Sequence, residues 1–160
     1  MRCVLFVCHG NICRSPMAEY LLKAHLAAAA VEDWLVDSAA CSREELGNPI
    51  YPPARRCLES LGIQTEGHRA RQIRPQDYRD YTDILVMDEK NLRMARRYFG
   101  GDPEAKIRKL LSFCPDPDRG RDVDDPWYTG DFRRCFYDLE QGIQAFARTQ
   151  GLDWEPYVLS

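Results

Sequence analysis

The sequence predicts an α/β fold: a single domain with a four-stranded, parallel, twisted sheet and helices on both faces, in a Rossmann-like arrangement. Two observations predict it. Short apolar segments with strand-forming residues alternate along the chain with helical segments that carry an apolar stripe, which is the pattern of a parallel sheet. The first of these segments, residues 3–8, is a continuous apolar run, as expected of a strand buried on both faces.

The first strand is followed by a helix. Ser15 is predicted to be its N-cap and Pro16 its first helical residue, and the apolar stripe continues to about residue 30. The remaining strands are predicted at residues 34–39, 81–87 and 107–113, and the remaining helices at residues 54–61, 89–99 and 131–148. No repeat or linker divides the chain, so residues 1–160 are expected to form one domain. Residues 149–160 are interpreted as a tail, either an appendage or a strap on the surface.

Composition excludes several classes of protein. The formal net charge of −3 argues against non-specific binding of nucleic acid, which needs a basic surface. No segment has the roughly 20 apolar residues of a membrane helix and no secretion signal is present, so we expect a cytoplasmic protein without a membrane contact. The cysteine count, seven, is odd, and there is no CxxC pair, which argues against a disulfide scaffold and against a zinc site.

The loop after the first strand predicts an anion site. It lies at the carboxyl edge of the sheet, where ligands of open α/β sheets bind, and it leads into a helix N-terminus, whose free N–H groups favour an anion. Gly10 is expected to let the backbone adopt conformations that a Cβ would forbid. Arg14 offers a fork of donors that matches two phosphate oxygens. The phosphate-binding residues of this loop are predicted to be His9, Gly10, Asn11, Ile12, Cys13 and Ser15.

Cys8 is the candidate nucleophile. A thiol beside Arg14 and a helix N-terminus is expected to be ionised at neutral pH and able to attack phosphorus. Taken singly, a buried cysteine and a solvated arginine would account for the two residues. Their order and spacing before Ser-Pro favour the catalytic interpretation. Cys13 lies close enough in sequence to trap an oxidised Cys8 as a disulfide, or else it is a small residue that fills space.

The sequence resembles that of the low-molecular-weight protein tyrosine phosphatase family, with motifs in matching order over about residues 3–148. The resemblance is carried by Cys-x5-Arg-Ser within VCHGNICRSPMAE, and by VDSA (36–39), GNP (47–49), HRARQ (68–72), MDEKNL (87–92) and DDPWY (124–128). It implies a four-stranded parallel sheet. It also implies hydrolysis of phosphotyrosine in a protein substrate through a phosphocysteine, with inorganic phosphate as the product and without a metal or cofactor.

The resemblance also places the general acid, on Asp125. A lone Asp-Pro more often starts a turn, but here the two aromatic residues that follow complete the family's pattern. Trp127 and Tyr128 are then expected to wall the substrate pocket, or alternatively to belong to the core. Glu44 stands where the family commonly has an aromatic residue on the pocket wall, so it is the third predicted wall residue.

Further residues are expected to support the phosphate loop. The family's supporting network corresponds to Asn11, Ser15, Ser38 and His68, and Asp88 after the third strand is expected to orient that network. His9 departs from the pattern, because the family often has an apolar residue there, and the sequence predicts no role for its imidazole beyond its place in the loop.

Three alternatives are open to a chain of this kind. A thiol-linked arsenate reductase needs further cysteines near the end of the third strand, where this chain has Met87 and Asp88. A protein-arginine phosphatase tends to have threonine in place of Ile12. A non-catalytic phosphotyrosine-binding module would be expected to lose Cys8 or Asp125, and both are present.

Overall fold

A parallel four-stranded sheet forms the centre of the computed structural model, which describes residues 1–160. The strands are β1 (Arg2–Cys8), β2 (Trp34–Ala40), β3 (Asp83–Val86) and β4 (Ile107–Lys109). Their order is β2-β1-β3-β4, and each strand is parallel to its neighbours. The predicted fold class is therefore confirmed.

Six helices surround the sheet. They are α1 (Arg14–Ala28), α2 (Pro52–Glu59), α3 (Asp77–Asp80), α4 (Glu89–Phe99), α5 (Pro126–Thr129) and α6 (Phe132–Thr149), with a 3₁₀ turn at Leu110–Phe113. The one-turn helices α3 and α5 were not predicted, because a single turn is too short to show a helical period. None of the helices has both the length and the apolar composition needed to pass through a bilayer.

The central strand β1 is buried on both faces, which is why its sequence is continuously apolar. Val4 and Phe6 point to one side and belong to the larger core with α1, α2 and α6. Leu5 and Val7 point to the other side, where they pack with residues of α4. All four side chains are fully buried, so the strand holds the loop that follows it in a rigid position.

The start of α1 differs from the prediction. The helix begins at Arg14, the N-cap position is Cys13, and no side chain caps the helix. Ser15, the predicted N-cap, lies in the first turn, where its hydroxyl is 3.0 Å from the sulfur of Cys8. The serine fits a local capping pattern, but its hydroxyl contacts the loop instead.

The third and fourth strands are shorter than predicted. Met87 leaves the sheet because its N–H donates to the side chain of Asn91 and its carbonyl accepts from the N–H of Val123. After β4 the apolar run continues as the 3₁₀ turn, because Leu110 and Leu111 pack directly against Gly142 of α6. A Cβ at residue 142 would lie 2.5 Å from Leu110 Cγ. The chain therefore turns toward α6 at this close contact instead of continuing β4.

The segment after α6 crosses the surface as a strap. His25 of α1 is stacked between the rings of Trp154 and Tyr157, at 4.6 and 4.1 Å between ring centroids. The carboxylate of Glu140 contacts His25 Nε2 at 3.0 Å and accepts the Tyr157 N–H at 2.7 Å. Leu159 enters the larger core. Of the two interpretations of the tail, the strap is the one that the structure shows.

Candidate active site

The three predicted catalytic residues meet at the carboxyl edge of the sheet. Cys8 and Arg14, at the two ends of the loop between β1 and α1, line the floor of an open cleft. Asp125, from the loop before α5, reaches the same cleft. Residues about 110 positions apart in sequence are brought together because parallel strands end at one edge.

Cys8 is held by Ser15. Its side chain is buried, its sulfur lies 3.0 Å from Ser15 Oγ, and the Ser15 N–H donates to the sulfur at 3.4 Å. Asn11 Nδ2 donates to the same Ser15 oxygen at 2.8 Å. The Ser15 hydroxyl keeps its proton and a second lone pair while it accepts from Asn11, so it can donate to the Cys8 sulfur or accept from it.

Arg14 is almost fully buried beneath the cleft. Its Nη1 donates to Asp88 Oδ2 at 2.7 Å and to the carbonyl of Val123 at 2.8 Å, and Nη2 lies 3.4 Å from Asp125 Oδ2. Burial alone would lower the pKa of Arg14, but Cys8, Asp88 and Asp125 together raise it. Its Nε–H has no partner, so the guanidinium retains a donor for a bound anion.

The contact of Asp88 corrects one prediction. Asp88 was expected to orient the network of Asn11, but it instead holds Arg14 with Oδ2, while Oδ1 accepts the N–H of Asn91 and caps α4. No local pattern signals this choice, because a carboxylate at the end of β3 is equally placed for either partner.

Asn11 is the centre of the supporting network. Its φ is 61°, in the left-handed region, and its Nδ2 donates to Ser15 and to Ser38 at 2.8 and 2.9 Å. Its Oδ1 accepts the Arg71 N–H, and its carbonyl accepts from His68 Nε2 at 2.9 Å. The structure thus brings together the four predicted supporting residues and adds Arg71.

The network extends to a residue that sequence reasoning missed. Ser38 Oγ donates to Glu19 Oε1 at 2.6 Å, and Glu19 is paired with Lys23 one turn further along α1. A signal was present, since Glu19 is an acidic residue on the otherwise apolar side of a helix and it is buried. A buried carboxylate on such a face normally has a specific partner.

Gly10 serves a different purpose from the one predicted. Its backbone is not in the left-handed region; Asn11 adopts that conformation instead. A Cβ on Gly10 would lie 3.3 Å from Glu45 Cγ. The glycine therefore permits the close approach of the loop that follows β2.

Asp125 and the aromatic residues form one side of the cleft. Asp125 Oδ1 accepts the Trp127 N–H at 3.0 Å and thereby caps α5. Trp127 and Tyr128 are 52% and 82% exposed, so neither belongs to the core. The Trp127 ring packs against Tyr51 at 4.9 Å between centroids, which fixes a flat wall beside the carboxylate.

Cys13 and Ile12 also line the cleft, and both are buried. They pack with Ala70 in a small apolar cluster. Burial, followed by the nearby Cys8, raises the pKa of Cys13, which keeps it as a thiol. All seven cysteines are free.

The opposite side of the cleft comes from the loop after β2. Glu44 and Glu45 line it, and Glu44 Oε2 lies 3.0 Å from His9 Nε2. The structure therefore gives a partner to the His9 imidazole, for which the sequence predicts no role.

A buried Cys-x5-Arg loop between a parallel strand and a helix, with an aspartate on the facing loop, defines the class of cysteine-dependent phosphatases. The sequence profile of the family described as low molecular weight phosphotyrosine protein phosphatase matches residues 3–155. The chain belongs to this family, and the predicted family and enzyme class are confirmed.

Individual relatives agree with this assignment. The chain is 37% identical to low molecular weight protein-tyrosine-phosphatase YfkJ of Bacillus subtilis, over 88% of this chain and 90% of the relative. It is 40% identical to the low molecular weight phosphotyrosine protein phosphatase of Homo sapiens, over 89% and 92%. The crystal structure of YfkJ superposes with a TM-score of 0.90, at 36% identity over 94% and 95% of the two chains. A structure described as DARP, drosophila arginine phosphatase, superposes with a TM-score of 0.82, at 30% identity over 96% and 100%.

Proposed function

We propose that this enzyme hydrolyses phosphotyrosine in protein substrates and releases inorganic phosphate, with Cys8 as nucleophile, Arg14 as phosphate ligand and Asp125 as general acid and base. The observation that carries the proposal is the single cleft in which a thiol, a buried guanidinium and a carboxylate meet. Each group is held by the protein before a substrate arrives.

The first step transfers the phosphoryl group to the enzyme. The Cys8 thiolate attacks phosphorus, an S–P bond forms, and the bond from phosphorus to the tyrosine oxygen breaks. Arg14 and the loop N–H groups stabilise the phosphoryl oxygens. Asp125 donates a proton to the leaving oxygen, because a phenolate with a conjugate acid of pKa about 10 is otherwise a poor leaving group.

The second step regenerates the enzyme. Asp125, now a carboxylate, takes a proton from water, and the water oxygen attacks phosphorus. The S–P bond breaks and Cys8 leaves as a thiolate, which the Ser15 hydroxyl again stabilises. The product is inorganic phosphate.

Cys13 is proposed as the redox partner of Cys8. A peroxide would oxidise the Cys8 thiolate to a sulfenic acid, and the Cys13 thiol would condense with it to give a disulfide and water. The raised pKa of Cys13 supports these separate roles, in which peroxide oxidises Cys8 and not Cys13, because a thiol reacts with peroxide far more slowly than a thiolate.

The seven free cysteines also support the proposal of a cytoplasmic enzyme.

A direct test compares peptides of one sequence that carry phosphotyrosine, phosphoserine or phosphoarginine. The phosphotyrosine peptide is expected to be hydrolysed with the highest kcat/KM, and a chelator is expected to leave the rate unchanged because Arg14 and the loop supply the positive field. The phosphoarginine peptide is included because of the similarity to an arginine phosphatase structure. If that peptide is hydrolysed with the highest kcat/KM, the substrate is phosphoarginine and not phosphotyrosine.

A further inference from the structure

The rim of the cleft has a charge pattern that differs from its floor. Arg14 is the single Lys or Arg among the lining residues, and it lies on the floor with 2% exposure. Above it, Glu44 and Glu45 form one side of the rim and the exposed ring of Trp127 belongs to the other. The phosphate is therefore attracted to the floor, whereas the rim presents carboxylates and an aromatic face.

Glu44 is fixed in this position by His9. Besides the 3.0 Å contact of Glu44 Oε2 with His9 Nε2, the Ser42 N–H and hydroxyl both donate to the carbonyl of His9, at 3.0 and 2.9 Å. The Glu44 N–H in turn lies 3.3 Å from Ser42 Oγ. The loop after β2 is thus joined to the phosphate loop through both backbone and side chain.

The carboxylate of Glu44 remains available to a substrate. Its side chain is 68% exposed, and Oε1 makes no hydrogen bond or ion pair with the protein. A neighbouring cation, Arg43, lines no part of the cleft. Glu44 therefore offers a negative group, at a fixed position, to whatever residue lies beside the phosphorylated side chain.

We propose that Glu44, positioned by His9, is a specificity residue that selects phosphotyrosine with an adjacent lysine or arginine. This inference rests on the proposed phosphotyrosine phosphatase function. A cation there pairs with Glu44 and is attracted to the face of Trp127, whereas an acidic residue is repelled by Glu44 and Glu45. The two attractive contacts correspond to a preference of about 3- to 10-fold at an exposed site.

The experiment uses the full chain and three phosphotyrosine peptides that differ in one residue beside the phosphotyrosine: arginine, alanine or glutamate. The preference is the ratio of kcat/KM for the arginine peptide to that for the glutamate peptide. We expect about 3- to 10-fold for the wild type, expressed mainly in KM, and a fall toward unity when salt is raised from about 0.01 M to 1 M.

Four variants separate specificity from structure. Glu44→Lys is expected to invert the preference, Glu44→Gln to reduce it below about 2-fold, and His9→Leu to reduce it because Glu44 loses its anchor. Glu32→Gln, an exposed glutamate before β2 and so at the opposite edge of the sheet, is the matched control and is expected to keep the wild-type ratio.

The outcomes distinguish this inference from the proposed function. Equal hydrolysis of the three peptides by the wild type, or an unchanged preference in Glu44→Lys, would overturn the role of Glu44 while leaving the phosphatase assignment intact. A wild-type ratio in His9→Leu would overturn the positioning role of His9. If neither p-nitrophenyl phosphate nor any of the peptides is hydrolysed, the proposed function itself is wrong.

Discussion

The hydroxyl of Ser15 lies 3.0 Å from the sulfur of Cys8 and at the same time accepts a hydrogen bond from Asn11. The Ser15 hydroxyl keeps its proton while it accepts from Asn11, so it can donate to the sulfur when Cys8 is a thiolate, which has no proton of its own to give. A residue that the local sequence marks as a helix cap is thereby part of the chemistry of the cleft.

Replacement of the nucleophile is the simplest test of the mechanism. Cys8→Ser is expected to abolish turnover of p-nitrophenyl phosphate, because an alcohol is not ionised at neutral pH and does not form the phosphocysteine. Cys57→Ser, in α2, is the control and is expected to retain activity. Turnover by Cys8→Ser at a rate close to that of the control would contradict the nucleophilic role.

Removal of the general acid should lower the rate most for substrates with a poor leaving group. Asp125→Ala is expected to lower kcat/KM for a phosphotyrosine peptide by about 10²–10⁴-fold, and that for p-nitrophenyl phosphate by much less, since nitrophenolate leaves without a proton. The ratio kcat/KM is the appropriate measurement because it reports the first step. Asp124→Ala is the neighbouring control, and equal losses on both substrates would remove Asp125 from the acid role.

Loss of the Ser15 hydroxyl should make the sulfur of Cys8 less reactive at neutral pH. A hydrogen bond to a charged group contributes about 1.5–3 kcal/mol, so Ser15→Ala is expected to slow alkylation of Cys8 by iodoacetamide, measured at one fixed pH, by about 10- to 150-fold. Ser112→Ala, whose hydroxyl donates to a carbonyl on the surface, should keep the wild-type rate. An unchanged rate in Ser15→Ala would mean that the serine only fills space.

Substitutions of Asn11 should separate two contributions to the free energy of unfolding: the hydrogen bonds of its side chain and the conformation of its backbone. Asn11→Ala removes the bonds to Ser15, Ser38 and Arg71 and keeps a Cβ at φ 61° without the polar side chain that lets asparagine adopt this region, so we expect a loss of about 3–5 kcal/mol in the free energy of unfolding. Asn11→Gly removes the same bonds without the steric conflict and should lose about 1 kcal/mol less. Urea denaturation measures both, and equal losses would show that the backbone is not under strain.

The redox role of Cys13 can be tested by measuring how much activity is recovered after oxidation. After treatment with peroxide, the wild type is expected to regain most of its activity with a thiol reductant, whereas Cys13→Ser should stay inactive because Cys8 proceeds to irreversible oxidation. Cys41→Ser is the control, since Cys41 is another buried thiol close to Cys8, with a pKa raised by burial to about 12. Full recovery by Cys13→Ser would assign Cys13 to packing alone.

Much of the fold and site was predictable because the determining patterns are local. The apolar run of β1, the alternation of strands and helices, and the spacing of Cys8 and Arg14 are all present in short stretches of sequence. The partner of Asp88 was not predictable, because its side chain had two acceptable partners and tertiary packing decided between them. Ser15 was expected in the supporting network from the family resemblance, whereas its local sequence pattern alone predicts only a helix cap. The end of β4 was missed for a similar reason, since an apolar run reads the same whether it extends a sheet or packs against Gly142.

The exposed ring of Trp127 gives the enzyme an optical reporter of its own. Trp34 and Trp154 are less exposed and pack against Phe146 and His25, whereas Trp127 stands at the mouth of the cleft beside the phosphate site. Its emission should respond to whatever enters. In Cys8→Ser, where chemistry is blocked, a fluorescence titration can therefore measure the affinity of an intact phosphopeptide without any label.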